Sequence, residues 1–239
     1  MAGIFEWLFG QYASYQPLFI GLELIAVVFG IASVLLARKT NILVYPVGLI
    51  STGLFVYLLW EWQLFGDMLI NAYYTAMSLY GWYNWSKHQD IEHTGDVTIE
   101  CIQKRDIPMM LTLAVVSAAF VALVYYLRPV INNGFSFDGV VLGLHLFTWV
   151  DYTDMFTTAL FLIAMYLMAS RKIENWLVWI VADAISVPMY FYKGYTFTSI
   201  QYVVFTLIAI WAYYEWKRRY HQQVNDHGIS PATLNATNA

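Results

Sequence analysis

The sequence predicts an all-α membrane protein of seven transmembrane helices, arranged as two parallel three-helix repeats joined by one linker helix. Three observations lead there. Hydrophobic residues make up 60% of the 239 positions and charged residues only 12%, against roughly 25% charged in an ordinary soluble domain, so a water-soluble fold would lack polar surface. Apolar runs of about 20 residues, the length that crosses a bilayer, recur along the chain. The Lys and Arg residues gather in alternate loops, the pattern of a polytopic membrane protein.

Residues 1–17, with Phe5, Trp7, Phe9, Tyr12 and Tyr15, form an aromatic interfacial segment. No Lys or Arg precedes Arg38, so a cationic leader is not expected and the chain should begin at its start codon. Spans follow at 18–37, 41–60 and 66–85, and these make the first repeat, 18–85. The second span contains no ionisable residue of the Asp, Glu, Lys or Arg type, whereas the first carries Glu23 and the third Asp67. Residues 86–107 are a polar, cytoplasmic loop, and 108–127 is the linker helix, again without those residues. Residues 128–148 form an external loop. Its apolar piece Gly139–Phe147 follows the turn Asn132-Asn133-Gly134 and is too short to cross, so it is expected to be re-entrant or interfacial. The last three spans, 149–170, 173–192 and 196–216, make the second repeat, 149–216. A basic and then disordered cytoplasmic tail, 217–239, ends the chain.

With seven spans, Arg38, Lys39, Lys87, Lys104, Arg105, Arg171, Lys172, Lys217, Arg218 and Arg219 share one side, and only Arg128 and Lys193 fall on the other. The excess marks the cytoplasm, which places the amino terminus in the periplasm and the carboxyl terminus inside, in the inner membrane of a bacterium. The net charge of −4 gives no broad basic face, so nucleic acid is excluded as a partner. The single Cys101 permits no intrachain disulfide.

The repeat shows when 18–85 is laid over 149–216. An Arg-Lys pair ends the first helix of each. Asn41, Tyr45 and Tyr57 then match Asn175, Trp179 and Phe191 at an offset of 134, and Gly81-Trp82-Tyr83-Asn84-Trp85 matches Ala212-Tyr213-Tyr214-Glu215-Trp216 at an offset of 131. A short gap is therefore expected before the third helix. Parallel repeats with a site near the midplane are one architecture of small-solute transporters.

Asp183 is the leading candidate for a functional group, because an ionisable side chain at bilayer depth is costly and by default faces the bundle interior. Trp176, Trp179, Asp183, Ser186 and Tyr190 follow spacings of three, four, three and four, which put them on one helical face. Indole and phenol faces attract cations, and the acid adds a directional acceptor, so the face suits a flat aromatic cation. The competing reading is a packing Asp bonded to Ser or Thr. Asn71, Tyr74 and Ser78 on the third helix, Gln201 on the seventh, and Ser51 and Thr52 on the second are candidate lining residues, or interhelical glue. Glu23, Asp67, Asp151 and Asp154 lie near span ends, where capping is favoured, with Asp154 and Thr157 an entrance candidate. His88, His93, His145, His221 and His227 show no metal-ligand spacing, and no catalytic grouping is visible, so neither a metal nor enzymatic activity is expected. A proton-coupled carrier using Asp183 or Glu23 stands as an alternative.

From Glu23 to about Trp216 the sequence resembles the PnuC-type vitamin transporters. The resemblance rests on Glu174-Asn175-Trp176-Leu177-Val178-Trp179 followed by Asp183, on Asn71 with Gly81-Trp82 and Trp85, and on Gly194 and Tyr195 in the turn beyond. It implies a SWEET-like order of three, one and three helices, often as a homotrimer, and facilitated diffusion of a vitamin that is trapped inside by phosphorylation. It implies no coupling ion and no cofactor. The family pattern has Asn where this chain has Asp183. An Asn meets both the carbonyl and the amine of a carboxamide, whereas an ionised Asp only accepts. That substitution points to thiamin ahead of nicotinamide riboside.

Overall fold

The computed structural model describes residues 17–62, 65–89, 97–193 and 196–226. Among them are seven α-helices: α1 Pro17–Arg38, α2 Val44–Glu61, α3 Phe65–Lys87, α4 Ile107–Asn132, α5 Trp149–Ala169, α6 Asn175–Tyr192 and α7 Thr196–Asp226. All seven expected spans are therefore helical. By length and composition, α1, α2, α4 and α5 are apolar enough to cross a membrane. The other three are long enough, since even the 18 residues of α6 span about 27 Å, but they carry the polar and aromatic side chains that lower their hydropathy. The interfacial segment expected at 1–17 lies outside the described residues apart from Pro17.

The chain divides into two compact units, Met1–Val97 with α1–α3 and Thr98–Ala239 with α4–α7. The loop 86–107 is thus shared between the units. In the first unit α1 packs on α2 and α2 on α3. Small side chains let the backbones approach: Ser51 Oγ donates to the Ala26 carbonyl at 2.7 Å, and a Cβ on Gly30 would stand 3.0 Å from that oxygen. The opposite side of α1 presents Leu24, Ile25, Val28, Ile31 and Leu35 outward, as a lipid-facing helix must.

In the second unit α4 packs on α5, α5 on α6 and α6 on α7. Helix α4 runs five residues past the expected end at 127, because Pro129 keeps a helical φ in the last turn. The segment beyond it turns through Gly134 (φ 65°), Phe135 (φ 63°) and Gly139 (φ 69°) and holds one 3₁₀ turn, Leu144–Leu146. The apolar run Gly139–Phe147 therefore makes no eighth span. Helix α5 opens with a capping box, Thr148 to Asp151 and back. Helix α7 continues to Asp226, which corrects the expectation of a disordered tail from about Tyr220. Its 31 residues extend about 46 Å, well beyond a hydrocarbon core of about 30 Å.

What holds the start of the second unit is ionic. Glu100 is 3% exposed and lies 2.6 Å from Arg171 Nη2 and 2.7 Å from Lys172 Nζ. Lys172 also reaches Asp106 Oδ2 at 3.2 Å, and Arg171 donates to the Thr98 hydroxyl at 2.7 Å. A parallel bridge joins Glu100 to Lys172, the Ile102 N–H donates to Glu174 Oε2, and the Ile99 N–H donates to Gln223 Oε1 on α7. Residues 98–106 form a strap tying the α5–α6 turn to α7. Burial alone would push the Glu100 carboxyl up, but the Lys172 hydrogen bond and the charges of Arg171, Lys172 and Arg105 outweigh it and hold the group below the usual carboxylate range.

The repeat is more regular than its sequence match. Val44 to Asn175, Glu61 to Tyr192 and Phe65 to Thr196 are all steps of 131. The first helices end alike: Thr40 (φ 54°) and Arg171 (φ 62°) are left-handed, and their N–H groups donate to the Ala37 and Met168 carbonyls. The next N–H groups, of Asn41 and Lys172, reach back to Leu36 and Leu167. Tyr45 packs edge-on against Trp85 at 5.1 Å and Trp176 against Trp216 at 5.7 Å. The offset of 134 assigned to the second helices is therefore wrong, and no gap precedes the third helix. The Arg-Lys pairs used to align the turns are not equivalent: Arg171 corresponds to Thr40.

Candidate functional site

Helix α6 turns the expected face inward. Asp183 is 2% exposed, Ser186 and Trp176 are buried, and Trp179 and Tyr190 are half-buried. The helix carries Pro188 inside it, a residue that removes a backbone donor. Ser199 on α7 donates to the Val187 carbonyl at 2.9 Å beside it.

Asp183 has no hydrogen-bond or ion-pair partner among the described residues. The packing alternative required a Ser or Thr bonded to it. Ser186 instead donates to the Ala182 carbonyl in its own helix at 2.9 Å. A carboxylate buried without a partner costs several kcal/mol, and an acceptor left open in the bundle is what a donor-bearing cation would engage.

Four rings stand in series, and two of them, Trp179 and Tyr190, share the face of α6 that carries Asp183. Trp179 lies 5.6 Å from Phe161 on α5, Phe161 stacks on Tyr202 of α7 at 5.9 Å, and Tyr202 stacks on Tyr190 at 5.1 Å. Three helices of one unit thus contribute faces to a single aromatic cluster. Phe161 and Tyr202 were not singled out in the sequence. The sequence carries a signal for Tyr202, the repeat equivalent of Asn71 at the step of 131, although composition alone points to its neighbour Gln201.

The remaining candidates have other neighbours. Trp176 sits 14 positions before Tyr190, about 21 Å along the helix, and packs against Trp216, so it belongs to the joint between α6 and α7. Gln201 is exposed and outside the cluster. Asn71, Tyr74 and Thr52 lie in the first unit. Thr75 donates to Thr52 Oγ1 at 2.9 Å, Asn71 Nδ2 donates to the Asp67 carbonyl at 3.0 Å, and Tyr74 packs beside Tyr73. The step of 131 makes Thr52 the counterpart of Asp183, so the second helix of each repeat carries a polar group at the equivalent position.

At the span end, Asp151 caps α5 and pairs with Arg128 at 2.8 Å. Asp154 accepts from the Tyr125 hydroxyl, and Thr157 bonds the Thr153 and Asp154 carbonyls.

A family profile for nicotinamide mononucleotide transporters matches residues 20–218. The riboflavin/roseoflavin transporter RibM of Streptomyces davaonensis is 24% identical over 194 residues, covering 81% of this chain and 83% of that one. The nicotinamide riboside transporter PnuC of Escherichia coli is 28% identical over 202 residues, covering 79% and 82%. A crystal structure of the vitamin B3 transporter PnuC superposes with a TM-score of 0.61 at 23% identity, over 92% of this chain and 88% of that chain. That likeness is one of fold.

Proposed function

The chain belongs to the nicotinamide mononucleotide transporter family, and from that premise we propose that it carries a small cationic aromatic vitamin across the bacterial inner membrane by facilitated diffusion. It is a multi-pass membrane vitamin transporter and not an enzyme. The observation that supports the choice of cargo is Asp183, buried and without a partner among the described residues, on the face of α6 that carries Trp179 and Tyr190, whose rings join those of Phe161 and Tyr202. Each ring face attracts a cation by about 0.5–2 kcal/mol, and the carboxylate adds charge and a hydrogen-bond acceptor.

Two cations fit that chemistry. The relatives are named as transporters of nicotinamide riboside or of riboflavin and roseoflavin, which supports nicotinamide riboside ahead of thiamin and reverses the order drawn from the sequence. Thiamin is the second reading, because its aminopyrimidine offers a donor and its thiazolium a positive charge to an acid that can only accept. The ten cations on one side of the seven-span map support a periplasmic amino terminus.

The test is titration calorimetry of the purified protein with nicotinamide riboside, thiamin and riboflavin, with Asp183→Asn alongside. One of the two cations should bind, and Asp183→Asn should weaken it about tenfold or more. Binding of riboflavin alone would sink the cation reading. Uptake into proteoliposomes should be indifferent to a protonophore, and a collapse of uptake would favour proton coupling.

A further inference from the structure

Where α4, α5 and α6 meet in the second unit, two ion pairs of different build stand side by side. Arg128 Nη1 lies 2.8 Å from Asp151 Oδ1, and Asp151 Oδ2 accepts from the N–H and the hydroxyl of Thr148 at 2.8 and 3.0 Å. Both oxygens of that buried carboxylate are engaged. Asp154, a turn further along α5, is looser. Its Oδ2 accepts from Tyr125 and stands 3.9 Å from Lys193 Nζ, with the two side chains 24% and 23% exposed. Its Oδ1 has no partner among the described residues.

Lys193 caps the end of α6, and its ammonium lies 5.1 Å from the centroid of the Tyr190 ring. That is the ring stacked on Tyr202 at the head of the aromatic cluster. An ammonium at this distance takes the place that an organic cation would take on the same ring face. Two cations cannot share it cheaply, because like charges a few ångströms apart repel. The lysine stem is long and flexible, and its charge is readily hydrated, so release to water is open to it at a partly exposed site.

We propose that Lys193 is a tethered competitor for the cargo: its ammonium occupies the Tyr190 face and leans on Asp154, and an arriving organic cation displaces it from both. Asp154 then becomes the first carboxylate the cargo meets, and Asp183 the second. This rests on the reading of the cargo as a cation. Lys193 thereby sets specificity, because a neutral aromatic vitamin gains nothing from the freed carboxylate and loses nothing to the ammonium's charge.

The experiment measures binding of nicotinamide riboside, thiamin and riboflavin to the full chain and to Lys193→Met, Lys193→Arg and Asp154→Asn. Lys193→Met should bind the cation about three- to tenfold tighter, with riboflavin unchanged, as expected for removing one like charge at short range. Lys193→Arg should stay near wild type, and Asp154→Asn should weaken the cation selectively. Equal shifts for charged and neutral ligands, or no shift in Lys193→Met, overturn the proposal. If Lys193→Met does not fold, the Asp154→Asn comparison decides alone. A wild type that binds neither cation overturns the cargo reading beneath it, whereas cation binding unaltered in Lys193→Met and Asp154→Asn overturns only the competitor.

Discussion

Replacing Glu100 tests whether the strap is a structural lock. Glu100 hydrogen-bonds Arg171 and Lys172, which are 4% and 2% exposed. Glu100→Ala leaves two buried cations with fewer partners, although Asp106 still faces Lys172 and Thr98 still faces Arg171. Breaking a buried pair by removing one member costs about 3–5 kcal/mol. For a chain of this size each kcal/mol moves the midpoint by about 2–4 °C, so Tm should fall by roughly 6–20 °C. The assay is thermal unfolding of detergent-purified protein at pH 7. The same residue predicts a pH signature. Its folded pKa is depressed below the ordinary 4.5, so its contribution is present in full above the unfolded pKa and is lost as pH falls through the folded one. Wild type should therefore lose its advantage over Glu100→Gln progressively as pH falls below 4.5 and through the depressed folded pKa. A Glu100→Ala protein that melts within 2 °C of wild type at pH 7, by the same scale, would refute the lock.

Three further outcomes follow from the same geometry. A Cβ on Gly81 would stand 2.3 Å from the Tyr45 ring, which is fully buried and fixed against Trp85; Gly81→Ala should cost about 1–3 kcal/mol, read as a lower melting temperature, and Tyr45→Ala should relieve part of it. Tyr202→Ala removes the ring that stacks on both Phe161 and Tyr190 and should weaken vitamin binding about tenfold, as expected for losing about 1.4 kcal/mol, measured by calorimetry. Burial pushes the Cys101 thiol up, with Glu174 nearby adding to it, so at pH 7.5 N-ethylmaleimide should modify it more slowly than free cysteine, followed by mass spectrometry.

The seven helices are legible because four are long apolar runs and the other three are long runs with few charges, and the Asp183 face is legible because its spacing lies within one helix. Contacts between distant segments are not. Arg171 and Lys172 read as loop cations reporting sidedness, yet their partner Glu100 lies 71 and 72 residues earlier, beyond any local pattern. Residue identity at the turns misregisters the repeat, because the feature that the two turns share is a left-handed backbone, held by Thr40 in one and Arg171 in the other. Phe161 escaped notice for the same reason as the strap: its role comes from rings on α6 and α7.

The strap also imposes an order of events during synthesis. Residues 98–106 emerge from the ribosome long before the turn that neutralises Glu100 exists, and α4 and α5 must both be threaded first. Until residue 172 is made, a carboxylate destined for the interior stays in water and keeps this segment from being drawn into the bilayer. Closure then comes late and in two stages: Arg171 and Lys172 arrive together to meet Glu100, and Gln223 fastens Ile99 only when the far end of the last helix has been made. A nascent chain stalled before that turn would leave the whole segment open to proteases, so the moment of locking can be read from truncation length alone.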